Sequence, residues 1–357
     1  MKTYKKYFQN KTVIVTGHTG FKGSWISFVL WLFGAKIVGI SSYDLGLKSN
    51  YNLLKIRNKI HKEFKVDIND FDKLKSIFIK TKPDFVFHLA AQSLVSNSVT
   101  NPLKTFNTNI IGTTNILESL RFLKKKCSAV IITSDKCYLN KEIQRGYVET
   151  DVLGGIDPYS ASKASAEIVF NSYYNTYFKN NKYISIATAR AGNVIGGGDF
   201  SQDRIIPDVI KSIISNSTLK IRSPKSTRPW QHVLEPLRGY IDLSINLHQN
   251  FKNSGVNFNF GPRIRENFTV IEIIKMIKFR IPNLKVKIDK SFKIKESGLL
   301  RLNCKKANQI LNWKPYLNTK ESINLTIDWY IDYINKKNIE ELTLNQINNY
   351  FEKNNFK

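Results

Sequence analysis

The sequence predicts an α/β fold, a doubly wound parallel sheet with a smaller C-terminal substrate-binding lobe. Three observations predict it. Short apolar runs alternate with helical stretches over the first half of the chain. The first of those runs leads straight into a glycine-spaced turn and an apolar helix. Beyond Arg190 the pattern changes to a Gly196-Gly197-Gly198 loop and a segment rich in Pro and Arg.

The runs at 12–16, 36–40, 84–89 and 129–133 are near-continuous in Val, Ile and Phe rather than alternating, as strands covered on both faces are. Helices are expected around 101–124 and 159–178, a further strand at 184–190, a helix near 237–248 and a strand near 256–260 that rejoins the sheet. Residues 1–190 and 236–262 would then form the nucleotide domain, and 191–235 with 263–357 the lobe. At 357 residues the chain exceeds one typical core, so such a division is natural. The tail beyond Lys337 reads as a terminal amphipathic helix.

The turn after the first strand carries Gly17, Gly20 and Gly23, with Thr19 and Phe21 between them, and the helix that follows holds Trp25, Ile26, Phe28, Val29 and Leu30. Glycines at a strand-to-helix turn permit the bend and the close approach of backbone to a pyrophosphate, which the helix N-terminus favours. The spacing is G-x-x-G-x-x-G rather than G-x-G-x-x-G. The strand before it and the apolar helix after it make nucleotide binding the expectation.

Tyr159 and Lys163 stand four apart, on one face of a helical turn, so the ammonium can favour the phenolate and make the tyrosine a base. By itself such a pair also fits an ordinary helix surface in a lysine-rich chain. Ser134 can offer a hydroxyl to the same alcohol. Asp135 and Lys136 add an acid and an amine that simple alcohol oxidation does not need, so a second chemical step is expected.

Lys and Arg number 55 against 28 Asp and Glu, a net charge of +27. Such a charge ordinarily suggests nucleic acid or an acidic membrane. Here the lysines are scattered with asparagines through every element and no nucleic-acid module is visible, so neither partner is expected. Cys127, Cys137 and Cys304 lack C-x-x-C spacing and no apolar N-terminal signal region is present, which predicts reduced thiols in the cytoplasm and no metal site. The longest apolar stretch, 26–33, is far too short to span a bilayer.

Together these segments resemble the extended short-chain dehydrogenase/reductase family, with its Rossmann-like domain, and within it the nucleotide-sugar 4,6-dehydratases. The resemblance is carried by YFQNK at 7–11 before the glycine turn, FHLAAQ at 87–92, TNIIGT at 108–113 and SDKCY at 134–138. It continues in GGIDPYS at 154–160, RAGNVIGGGD at 190–199, RPWQHVLEP at 228–236 and NFGP at 259–262. The acid/base pair is Asp-Glu in the dTDP-glucose enzymes and Asp135-Lys136 here, which implies CDP-glucose as the substrate.

The resemblance implies NAD as cofactor, held by Gly17, Thr19, Gly20, Phe21, Gly23, Asp67, Ile68, Leu89, Ala90, Ala91, Tyr159 and Lys163. Asp67 equally fits a helix cap, and Asp44, beyond the second strand, is a candidate for the ribose hydroxyls. Substrate contacts are implied for Gln92, Asn193, Arg204 and Arg228, the arginines matching phosphate oxygens with a guanidinium fork. Glu296 falls where the family carries His-Glu-Ala. A homodimer or homotetramer through the 101–124 and 159–178 helices is also implied. In the implied reaction Ser134, Asp135, Lys136, Tyr159 and Lys163 are the catalytic set, with Lys136 expected to be buried. A 4-epimerase, a simple dehydrogenase, a dehydratase of another nucleoside-diphosphate glucose and a non-catalytic NAD-sensing protein remain as alternatives. The first two have no use for Asp135-Lys136, and the last usually loses the Tyr or the Lys.

Overall fold

The computed structural model describes residues 1–43, 46, 48–289 and 298–353. Its core is a seven-stranded sheet. The strands are β1 (Thr12–Thr16), β2 (Lys36–Ser41), β3 (Lys62–Lys65), β4 (Phe85–His88), β5 (Cys127–Ile132), β6 (Ile184–Ala191) and a last strand, Asn257–Phe260. Every pairing is parallel, in the order last strand, β6, β5, β4, β1, β2, β3. The expected doubly wound sheet is therefore present. β3 is the strand that the apolar pattern does not announce: its sequence, KEFK, is polar because it lies at the sheet edge, with no residue fully buried.

Both faces of the sheet are covered. On one, Trp25, Phe28 and Val29 of the Phe21–Leu32 helix pack with Leu237, Tyr240 and Ile241 of the Leu234–Gln249 helix. On the other, Leu74 and Phe78 meet Ile116, Leu120 and Phe170. Burial on both sides removes apolar surface from water along each strand, which is why β5 and β6 are buried at every position.

The expected helix at 101–124 is built in three pieces, Pro102–Phe106, a wide π turn Asn107–Ile111, and Gly112–Arg121. The Pro158–Tyr173 helix also runs on into a π turn. Pro158 at its first position and Asp157 as its cap, accepting the Ser160 N–H at 2.9 Å, fix where that helix starts and so which face it turns to the sheet.

The C-terminal helix Ile339–Lys353 docks rather than trailing free. Phe351 packs edge-on against Phe33 and Tyr4, Lys59 pairs with Glu340 at 2.6 Å, and Arg238 donates to the Tyr350 hydroxyl at 3.0 Å. The topological switch lies between β1 and β4, where successive crossovers leave on opposite sides of the sheet. A crevice at the carboxyl ends of the strands is the expected ligand site.

Candidate active site

At that switch point Gly17 adopts φ +70°, and a Cβ there would lie 2.8 Å from the Ala90 backbone. A Cβ on Gly23 would lie 2.0 Å from the Gly17 carbonyl oxygen, and Gly20 caps the Phe21–Leu32 helix. Backbone approach of this closeness, at a helix N-terminus, fits a dinucleotide pyrophosphate. Ala90 N–H donates to the Thr16 hydroxyl at 3.2 Å, tying the exit of β4 to β1, and Leu89 and Ala91 are half-buried on either side. Phe21 is half-buried, and Thr19 lies in hydrogen-bond contact with the Ser41 hydroxyl at 2.8 Å and donates to the Tyr43 carbonyl.

Farther along the crevice, Asp67 is exposed and accepts from the Asn69 backbone and side chain at 2.9 and 3.0 Å. The helix cap there is Asp70, not Asp67. Ile68 is buried against Gly112, and its carbonyl accepts from Asn115. Asp44 and Glu296 lie outside the described residues.

The chemistry-bearing wall grows from the end of β5. Ser134 caps a short 3-10 turn, Asp135–Cys137, accepting the Lys136 N–H at 3.2 Å and donating to Asp135 Oδ1 at 2.9 Å. Asp135 is 3% exposed and its Oδ2 has no partner. That oxygen lies 3.0 Å from where a Gly192 Cβ would stand, so glycine keeps space beside it. Burial raises the Asp135 pKa, against the pull of Lys136 and the Ser134 hydroxyl, and so favours the protonated acid.

Tyr159 and Lys163 are both buried, which sets aside the surface-helix reading of that pair. Burial pushes the phenol up to about 12, while the Ser134 hydroxyl and Arg204 draw it down. Lys163, expected to be the chief influence on that phenol, is not among the strongest ones. Burial pulls Lys163 itself down to about 8, against Glu167. Lys136 is only half-buried, contrary to expectation, because in the 3-10 turn it is Asp135 and Cys137, on either side of it, that point inward.

The expected substrate contacts divide. Arg228 is half-buried, donates to the Thr227 carbonyl at 2.8 Å and acts on Asp135. Arg204 pairs with Asp199 at 2.9 Å and acts on Tyr159. Asn193 is half-buried in the loop after β6, its carbonyl held by the Gln231 N–H. Gln92 turns the other way. Its amide donates to Leu94 and Thr105 and accepts the Leu94 N–H at 2.6 Å, so in this structure it secures its own loop instead of facing the crevice.

Three residues went unread in the sequence. Lys22, inside the glycine turn, reaches the acid: burial pulls it down to about 8, Arg204 and Lys163 add to that, and Asp135 and Asp199 oppose it. A lysine among glycines at a pyrophosphate turn was the available signal. Asn109, in the π turn, bridges the Gln92 carbonyl and the Ser162 hydroxyl at 3.0 and 2.9 Å. Glu167 follows Lys163 by one helical turn, a spacing visible in the sequence. Among the described residues no group of three or more His, Cys, Asp or Glu could hold a metal ion.

A family model described as GDP-mannose 4,6 dehydratase matches residues 14–326. CDP-glucose 4,6-dehydratase of Salmonella typhimurium is 39% identical over 351 residues, spanning 97% of this chain and 98% of that one. Among solved structures, an epimerase from Methanothermobacter thermautotrophicus aligns with a TM-score of 0.78 at 24% identity, over 95% of this chain and 97% of that one. The dTDP-glucose 4,6-dehydratase of Bacillus anthracis, in complex with NAD, aligns at 0.72 and 21%, over 90% and 97%. Those two likenesses concern the fold. The match to the family model over most of the chain, with a relative at 39% identity along nearly its whole length, places the sequence more narrowly: the chain belongs to the GDP-mannose 4,6 dehydratase family.

Proposed function

We propose that the protein is an NAD-dependent hydro-lyase that converts CDP-glucose to CDP-4-keto-6-deoxyglucose. The observation that carries this reading is Asp135, a buried acid whose pKa burial raises, with one oxygen that has no partner among the described residues, beside a Tyr-Lys pair. A dehydrogenase or epimerase has no step for such an acid. The 39% identical relative, itself a CDP-glucose 4,6-dehydratase, supports the same activity and substrate.

NAD bound there would supply the hydride acceptor for C4 of the sugar and the hydride donor for C6. Gly17, Gly20 and Gly23 would take its pyrophosphate, with Thr19, Phe21, Leu89, Ala90 and Ala91 along the crevice and Asp67 and Ile68 toward the adenine. Tyr159 takes the C4 hydroxyl proton, aided by Ser134 and by the cations around it. The C4 ketone acidifies C5–H, and Lys136, next to Asp135, removes that proton. Asp135 gives its proton to the C6 hydroxyl, which departs as water; the proton held by Lys136 goes to C5 as hydride reaches C6, and the proton held by Tyr159 restores Asp135 through solvent. Arg228, Arg204 and Asn193 would grip the substrate.

Two lobes, nucleotide and substrate, divide this labour. The exposed apolar side chains Leu103 and Ile168 on the helices flanking the site support a homodimer or homotetramer through that face. No described helix is long and apolar enough to cross a membrane, and a cytoplasmic location fits the free cysteines.

The test is incubation of pure protein with CDP-, UDP- and dTDP-glucose, followed by assay for an alkali-induced 4-keto chromophore. CDP-glucose deuterated at C4 should give product deuterated at C6. Net NADH in proportion to substrate would overturn the dehydratase reading in favour of a simple dehydrogenase.

A further inference from the structure

Behind the Tyr-Lys pair lies a charged group that the reaction above does not use. Glu167 follows Lys163 by one turn of the Pro158–Tyr173 helix, on the face turned to the sheet. It is fully buried, yet its carboxylate is saturated with donors. Oε1 accepts from the Thr133 hydroxyl at 2.5 Å, while Oε2 accepts from Arg190 Nη2 at 2.8 Å, Thr188 at 2.9 Å and Asn257 at 2.6 Å. Those donors come from the end of β5, from β6 and from the last strand. Burial alone would push this carboxyl up, but the Arg190 guanidinium and the hydroxyl donors outweigh it and hold it below the usual range.

Arg190 is braced in turn. It donates to the Tyr138 hydroxyl at 2.8 Å and the Glu149 carbonyl at 3.1 Å, and Tyr138 donates to Asn259. The network is thus committed to keeping one negative charge at Glu167.

Among the described residues, the titratable groups around Lys163 include Tyr159 and Glu167 on its own helix, Lys22 from the glycine turn, His88 from β4, Asp135 and Cys137 from the turn after β5, and Arg190 behind Glu167. Burial keeps the His88 ring and the Cys137 thiol neutral. Lys22 is a cation. Of the two carboxyl groups, burial raises the pKa of Asp135, whereas Glu167 is held below the usual range and favours the ammonium of Lys163.

We propose that Glu167 is a positioning residue: its carboxylate, braced by Arg190, keeps Lys163 an ammonium below Tyr159 and pins the catalytic helix to the strands beneath it. A buried amine with no anion nearby gives up its proton readily, and the tyrosine then loses one of the cations that would support its phenolate. The i,i+4 spacing places the anion on the far side of Lys163 from Tyr159, where it can act without touching substrate.

The kinetic arm of the test rests on the dehydratase reading; the spectroscopic arm does not. In protein labelled with ¹³C at lysine Cε, the signal absent from Lys163→Ala reports the titration of Lys163. In Glu167→Gln that titration should move to lower pH by about one unit, a tenfold loss of ammonium above it, and the basic limb of the kcat profile should move with it. Glu167→Asp keeps the charge and should keep the titration. If Glu167→Gln does not fold because Arg190 is left unpaired, Glu167→Gln/Arg190→Met removes both buried charges and should still shift Lys163 in the same direction. A Lys163 titration unmoved in either folded variant would overturn the proposal. Absence of turnover in the wild type with any nucleoside-diphosphate glucose would instead sink the dehydratase reading, and the lysine titration would still decide this one.

Discussion

The wall of the candidate site that grows from the end of β5 and the rim formed by residues 193–228 are built on different principles. On the wall, Ser134, Asp135, Tyr159, Lys163 and Glu167 are all buried, and Glu167 and Ser134 are tied by side-chain hydrogen bonds. On the rim, Asn193, Arg204 and Arg228 are half-buried, and the two guanidinium groups hold a neighbouring carboxylate and a backbone carbonyl. On the proposed mechanism the wall would hold its charges in place while bonds break, at the cost of desolvation. On the same proposal the rim would exchange partners when a dianionic ligand enters, which suits cations that stay near water. Shifted ionisation belongs mainly to the wall, and strength of grip to the rim.

The comparison breaks first at Tyr159. Tyr159→Phe should abolish both the enzyme-bound NADH absorbance that follows substrate addition and the dehydration, by about 10⁴-fold, the upper end for a missing acid/base group. Retention of that absorbance would move the first proton transfer off the wall.

Lys136→Ala should separate the two half-reactions. Oxidation at C4 continues and bound NADH accumulates, while dehydration falls by about 10²–10⁴-fold. Turnover near that of the wild type would show that half-buried Lys136 is not the base and that Asp135 or another group takes the C5 proton.

On the rim, Arg228→Ala should raise the Kd for CDP-glucose roughly 10- to 100-fold, as expected for a lost charge-assisted contact, and leave NAD affinity unchanged. Calorimetric titration with each ligand distinguishes this from a general defect, which would weaken both.

The smallest effect is on stability. Burial raises the Asp135 pKa above its ordinary 3.8, so ionisation costs the folded state increasingly as pH rises through the raised value, and the stability tied to the neutral acid is lost there. Asp135→Asn has no such titration. It should melt higher than the wild type at pH 8, by about 2 °C, converge with it below pH 3.8, and lose dehydration at every pH. A variant that melts lower at pH 8 would mean that the carboxylate is stabilised by its cations after all.

The sequence by itself determined the sheet and the place of the nucleotide turn, because apolar runs that are buried on both faces and glycines at a strand-to-helix bend are local signals. It also showed the acid, the amine and the Tyr-Lys pair, since their chemistry is written in residue type and spacing. It did not show β3, a polar edge strand whose Glu63 and Phe64 find their partners only in the folded chain, nor that Asp70 rather than Asp67 caps the next helix. Only the tertiary structure decided which lysine is buried. Lys22, Lys136 and Lys163 look alike in a chain this rich in lysine, and their difference comes from the depth at which each is packed and the carboxylates brought near it. The same holds for Gln92 and Glu167. One is spent on its own loop and the other is surrounded by donors from separate strands, because those partners are distant in sequence and meet only when the sheet has formed.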